Sequence, residues 1–330
     1  MKSTGIKLLA AMSAALLLAG AAFASAEVPA DAQAWPGPDD IQTFEDLSFM
    51  ANGSGLDYAE GHLYSVDNSP GRLYQMDVAD DGTVTFSASW ENGKCVYFVG
   101  GTGVPDTEGV TAAGDGYVYL ASERDSENGN VNYNAILQVD PEEEGDTLTA
   151  LQQWDITDFL PDARANKGIE AVEWVSVDAV EGLLPDDNTD AAFAAAEYPD
   201  MISGGVFFVG FETNGHVYAF VLNGDGTAVL LQDIDTGLGG IMALDYDEQA
   251  GILWACADSA HSNIATLLPM RDITDMTYLT PAGMDMTTHN EGFAIGEEID
   301  GLLPVYHIAD GLTQGALSVT WLQADYAEQF

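Results

Sequence analysis

The feature that most constrains this chain is a recurrence. A short apolar strand is entered through a Gly, a Ser or a carboxylate, and the strand after it ends on an acid. The fullest copy is Asn166-Lys167-Gly168-Ile169-Glu170, running into Ala171-Val172-Glu173-Trp174-Val175. Altered copies are Ser54-Gly55-Leu56-Asp57-Tyr58, Glu108-Gly109-Val110, Met242-Ala243-Leu244-Asp245-Tyr246 and Asn290-Glu291-Gly292-Phe293-Ala294. Each heads a unit of short strands separated by turn residues, the pattern of one propeller blade.

The expected strands are 54–58, 63–66, 72–76 and 84–90 in the first unit, and 110–112, 117–121, 135–139 and 148–154 in the second. They continue at 169–175, 206–210, 217–222 and 229–231, then 241–246, 252–255, 263–267 and 276–279, and finally 292–295, 303–308 and 316–322. The fifth unit lacks a fourth strand, and segment 41–50 has no partner of its own. An all-β fold follows, a β-propeller of five blades closed by an N-terminal strand, because closure removes the edges that template aggregation. Six blades would need a further unit around 91–105 or within the insertion 178–205. The organisation is a lead at 27–40 and a single propeller domain at 41–330 that carries the insertion.

Residues 1–26 read as a signal peptide: Lys2 and Lys7 precede an apolar run at 8–18, and Ala24-Ser25-Ala26 offers a small-residue cleavage site. The protein is therefore expected to be exported, to a periplasm or to the medium, without a membrane anchor. Acidic residues number 54 against 8 basic, and the formal charge is −46 at pH 7. Nucleic acid and anionic membranes are disfavoured as partners. The surface is either salt- or acid-adapted, or its carboxylates cluster to bind cations. Cys95 and Cys256 lie in different units, and both a disulfide and two packed thiols are open. A monomer is expected.

Inner strands of a propeller border one channel, so the first residues of each unit converge. Three of those places hold Glu108, Glu170 and Glu291, and the second strands end on Asp67, Glu123, Glu212, Asp258 and Asp310, one acid per unit. Carboxylates held together must take up protons or bind a cation. Oxygen donors without a Cys or His cage favour calcium. The expected ligands are Glu108, Glu170 and Glu291, with Asn166 and Asn290 as amide-oxygen donors; the second ring has capping of strand ends as its plainer explanation. Glu170 and His289 are the candidate general base or acid, and Arg124 and Lys167 the candidate holders of a substrate anion. Ser259 and His261, two apart on an expected strand, would share a face. Asp186, Asn188, Asp190 and Glu197 fall at calcium-loop spacing, but Ala191 stands where that loop needs Gly, so the match is read as coincidence.

These motifs, with Ala121-Ser122-Glu123-Arg124, resemble the repeats of bacterial phytase-like propellers (esterase-like activity of phytase) and of the related SdiA-regulated propellers. The resemblance spans the chain from about Ser54 to its end. It implies an exported propeller, five-bladed in the SdiA-regulated group, with a calcium site. The family's Glu-Gly positions fall on Glu108 and Glu291, and its Asn-Lys-Gly-Phe-Glu-Gly motif on Asn166 to Glu170, with Ile169 for the Phe and Ala171 for the Gly. The function then expected is calcium-dependent hydrolysis of a small phosphate or carboxylic ester. The alternative is a non-catalytic propeller that binds an extracellular ligand and uses calcium structurally.

Overall fold

The computed structural model describes residues 28–49, 51–281 and 288–330. The expected leader, 1–26, lies outside them. Among the described residues the strands form five mainly antiparallel blades, numbered here in chain order. Their inner strands are Gly53–Ala59, Pro105–Ala112, Ile169–Ser176, Ala243–Asp247 and Asn290–Ile295. Each packs against its two counterparts, which closes the ring.

The core is divided among five seams, one between each pair of neighbouring blades. Middle strands therefore have no solvent face. In His216–Leu222 of blade 3, Val217, Ala219 and Val221 enter the seam with blade 4, while Tyr218, Phe220 and Leu222 enter the seam with blade 2. Alternation of side chains with both faces covered gives the unbroken apolar run seen in the sequence.

The N-terminal segment closes the ring as expected, but with less strand than 41–50. Gln42–Thr43 pairs antiparallel with Leu317–Gln323 of blade 5, and Ser48 forms one further bridge to Gln314. Leu47 and Phe49 are buried between blades 5 and 1, where Phe49 meets Tyr74 and Phe86 edge-on at 5.4 and 5.3 Å. Apolar burial holds this stretch where the ladder stops. Phe49→Ala is expected to destabilise by about 3 kcal/mol, because the ring leaves a cavity at the point of closure. A thermal midpoint unchanged by this substitution would show that closure does not depend on it.

Several expectations are corrected. The outer strand expected at 84–90 of blade 1 covers only Val84–Phe86, and a further strand, Lys94–Tyr97, also pairs with Arg72–Val78. The region proposed for a sixth blade, 91–105, supplies this second strand. Segment 148–154 also divides: Thr147–Thr149 crosses to pair in parallel with Lys94–Tyr97, and Gln152–Asp155 stays in blade 2. Leu148 explains the crossing, since it is buried with Leu73, Trp90 and Val96 in the seam of blades 1 and 2. Gln33–Ala34, read as lead, adds a parallel strand to Thr277–Thr280. Ser259 and His261 lie in a single 3-10 turn instead of a strand. No helix among the described residues is long and apolar enough to cross a membrane.

The insertion leaves blade 3 after Ser176, at the end of the inner strand remote from Glu170. It forms a short helix, Val177–Val180, and a hairpin, Pro185–Asp186 with Ala191–Ala192. Val180, Leu184 and Phe193 are buried against blade 3. Asp186 accepts hydrogen bonds from Asn188 and from the Tyr198 hydroxyl, so it shapes a turn. Cys95 and Cys256 are free thiols.

Candidate functional site

Backbone proximity at the waist of the channel explains the small residues of the repeat. A Cβ on Gly109 would sit 2.6 Å from the Val172 nitrogen and 2.7 Å from the Ala171 Cα. The cavity left between Gly55, Gly109, Ala171 and Ala243 is only about 10 Å³. The channel is thus pinched, and its two ends are separate sites.

At the end where the inner strands begin, the ladder between first and second strand is irregular in blades 1, 2, 3 and 5. The residue passed over by the pairing is Glu108 between Thr107 and Gly109, Glu170 between Ile169 and Ala171, and Glu291 between Asn290 and Gly292. A bulge inserts one unpaired residue and re-aims its side chain. Here the same device places three glutamates at one mouth.

Burial and mutual repulsion raise these carboxyls together. Removal from water, then the neighbouring Glu123, Asp106 and Glu291, drives the Glu108 carboxyl well above the usual range. Glu170 is raised likewise, by desolvation and then by Glu108, Glu123, Glu212 and Glu291. Glu291 is pushed up to about 8 by desolvation, with Asp310, Asp258 and Glu212 adding repulsion. Glu123 is pushed up to about 7 by burial, against the lowering influence of Arg124.

Asp106 completes the inner part of the cluster, and sequence reasoning missed it. Carboxylate oxygens of Asp106, Glu108 and Glu123 all lie within 4.8 Å of one another, and all three residues are buried. Three hard oxygen donors at that spacing, whose repulsion Arg124 relieves only in part, fit a divalent cation such as calcium. The available signal was the spacing of Asp106 and Glu108 two apart on one strand.

The remaining expected residues have other engagements. Arg124 Nε pairs with Asp106 Oδ2 at 2.5 Å, and its Nη1 lies 3.7 Å from Glu123. Lys167 is exposed and pairs with Glu212 at 3.0 Å. Both cations neutralise the ring. Asn166 is exposed at φ +64°, in the turn where Arg164 bridges to Lys167. The neighbouring Gly168 docks on blade 2, its N–H donating to Glu123 Oε2 at 3.1 Å, and Ile169 N–H donates to Asn134 Oδ1 at 2.9 Å. Asn290 is half-buried at the mouth, beside Glu291.

Among the second-strand acids, Asp67 accepts the Tyr74 hydroxyl, and Asp258 Oδ1 accepts the Ala260 N–H. Asp310 lies beside Glu291 through its electrostatic influence. His289 is exposed; its Nδ1 lies 3.1 Å from Ser259 Oγ and 3.6 Å from Asp258 Oδ2. A relay needs the hydroxyl and the carboxylate on opposite ring nitrogens. Here both face the same one, so this is not a catalytic triad. His261 instead packs against Gly239, where a Cβ would meet its Cε1 at 2.5 Å.

The raised carboxyls set the direction of pH dependence. Between the ordinary value of 4.5 and about 8 for Glu291, the folded protein holds protons that the unfolded chain has released. Stability from this source is complete below the unfolded value and is lost as pH rises through the folded one. The thermal midpoint of calcium-free protein is expected to fall between about pH 5 and about pH 9, and to fall less in Glu291→Gln. A midpoint that climbs across this interval would refute the clustering.

No family model and no curated protein matches this chain. Among solved structures it is similar to a glucose dehydrogenase, at 11% identity over 85% of this chain and 99% of that one, with a TM-score of 0.44. It is similar to a putative 6-phosphogluconolactonase from Bacteroides uniformis, at 16% identity over 82% and 71% of the two chains, with a TM-score of 0.37. A putative gluconolactonase matches at 14% identity over 87% and 96%, also with a TM-score of 0.37. The propeller architecture rests on the sheet order itself.

Proposed function

We propose that this chain is an exported, phytase-like β-propeller that binds calcium at its acidic mouth and hydrolyses a small phosphate or carboxylic ester there. One observation carries the reading: three bulge-borne glutamates, with Asp106 and Glu123, converge on one mouth. Glu108, Asp106 and Glu123 would hold the ion, with Glu170 and Glu291 facing it and the Asn166 and Asn290 amides as further oxygen donors. Calcium, when bound, supplies Lewis-acid polarisation of the ester oxygen.

The chain's own groups do the rest. Burial and the neighbouring acids raise the Glu170 carboxyl; ionised beside a bound cation, it would take a proton from water, and His289 at the rim would return one to the leaving group. Arg124 and Lys167 would meet an anionic substrate at this surface of formal charge −46 once calcium has taken over the acids with which they now pair. A second reading is favoured by the bond from Gly168 N–H to Glu123, and by Ser54 Oγ donating to Glu108 Oε2 at 3.0 Å. These join neighbouring blades, so a calcium ion on the same acids would staple the ring of a non-catalytic binding propeller.

The test is hydrolysis of p-nitrophenyl phosphate, p-nitrophenyl acetate and a lactone, each with and without calcium. Turnover that requires calcium and drops at least about 100-fold in Glu170→Gln supports the hydrolase, that being the usual scale for a general base. Inactivity on all three with calcium bound selects the binding propeller.

A further inference from the structure

The opposite end of the channel holds a second group of acids that the reading above does not use. Asp57, Glu173 and Asp245 occupy matching positions, two residues beyond the pinch, and each accepts an N–H from the next blade. Asp57 Oδ2 takes Ala112 N–H at 2.6 Å, Glu173 Oε1 takes Tyr246 N–H at 3.3 Å, and Asp245 Oδ2 takes Ile295 N–H at 3.3 Å. Thr111 Oγ1 does the same for Trp174 N–H at 3.0 Å. These bonds explain one oxygen of each acid. They leave Glu173 Oε2 buried with no hydrogen bond of good geometry among the described residues, the Thr111 hydroxyl being the side-chain donor close to this carboxyl, in a residue that is only 6% exposed.

Asp57 and Glu173 line a cavity of about 640 Å³, within the size range of small-molecule sites. Its walls are aromatic, with Tyr58, Tyr64, Trp174 and Tyr246, and its acids include the exposed Glu60, Glu142 and Glu248. No Lys or Arg lines it among the described residues, and its one His, His62, lies 3.1 Å from Asp77. A buried carboxylate oxygen without a well-placed donor is costly, and a cation is the partner that meets it.

We infer that this cavity is a binding site for a small organic cation of the alkylammonium class, its charged nitrogen against Asp57 and Glu173 and its carbon chain against the tyrosine and tryptophan rings. A metal ion fits less well, because the one group of three carboxylates at ligand spacing among the described residues is at the other mouth. Aromatic faces attract ammonium groups and cover their methylenes, which they do not do for a hydrated metal. Buried in the cavity wall, the carboxyls of Asp57 and Glu173 are disfavoured as anions, a condition that a bound cation would reverse. Burial raises Asp57 to about 6 and lifts Glu173 well above the usual range, and Tyr64 is pushed up to about 12 by burial and by Asp57, Glu142 and Glu60.

The inference is independent of the hydrolase reading, and calorimetry tests it. Spermidine and choline are titrated into the chain with calcium held at saturation, in about 0.15 M salt so that loose attraction to the acidic surface is screened. One equivalent of either is expected to bind, at least tenfold more weakly in Glu173→Gln and unchanged in Glu170→Gln. Because Glu173 also joins two blades, the exposed pair Glu60→Gln and Glu248→Gln provides a variant that spares the fold, and it is expected to weaken spermidine about fivefold or more. Equal affinity in all the variants, loss in Glu170→Gln, or many weak sites without a defined stoichiometry would each overturn the assignment. So would the failure of both ligands to bind.

Discussion

Calcium added to chelator-stripped protein is expected to bind stoichiometrically and to raise the thermal midpoint, and the triple variant Glu108→Gln, Glu170→Gln, Glu291→Gln should lose both effects. A ligand that binds only the folded state stabilises it by about 2.7 kcal/mol when its concentration is 100 times its dissociation constant. For a chain of this size, each kcal/mol moves the midpoint by roughly 1.5–2 °C, so the shift is about 4–5 °C. The triple variant should carry a second signature. Its amides cannot repel one another, so without calcium at about pH 8 it should be at least as stable as the unaltered chain.

A cluster that serves only as surface charge predicts something different: a small calcium effect, screened by salt and nearly equal in the two proteins. Equal calcium stabilisation in the variant would remove these glutamates from any metal role. That result would also leave the hydrolase reading without its site.

Gly109→Val is expected to cause a large loss of stability at the waist of the ring. The added side chain would meet Val172 nitrogen at 2.6 Å and the Ala171 Cα at 2.7 Å, which are backbone atoms of the adjacent inner strand. Neither can rotate aside as a side-chain tip would. Overpacking a core costs about 1–3 kcal/mol where side chains adjust. Here two strands of the closed ring must separate, so a loss at or above the top of that range, about 3 kcal/mol, is expected.

Gly129→Val is the control, since the nearest atom to its added Cβ is Ser126 O at 3.9 Å and its φ is an ordinary −56°. A surface change of this kind should stay within about 0.5 kcal/mol. Comparable denaturation midpoints for the two variants would show that the waist is not a tight backbone contact. Calcium titration of any folded Gly109→Val protein would show whether the mouth depends on the spacing of the strands below it.

Much of this architecture was legible in the chain because strand and turn signals are local. The repeated order of short strands, the missing fourth strand of the last unit and the unpartnered N-terminal segment were enough to expect a closed ring of five blades. The acid ending each second strand was visible as repeat phase, and so were Glu108, Glu170 and Glu291. Gly109 could be noticed but not explained. Its requirement is a distance to Val172 of the next blade, and no local pattern contains a distance between blades.

Tertiary structure alone decided how side chains were aimed and which distant segments paired. Bulges make Glu108, Glu170 and Glu291 unpaired residues directed at the mouth, whereas strict alternation would fix each by its place in the strand. Burial of Leu148 carried Thr147–Thr149 out of its own blade, and an open edge on blade 4 took up Gln33–Ala34. Asp57, Glu173 and Asp245 stand in the same repeat phase, yet they read as ordinary strand residues until the inner strands lie side by side. The physical reason is common to all of these. Periodicity records which face of a strand is apolar, but a carboxylate becomes a site only when desolvation and neighbouring charges, supplied by other blades, change what it costs to leave it ionised.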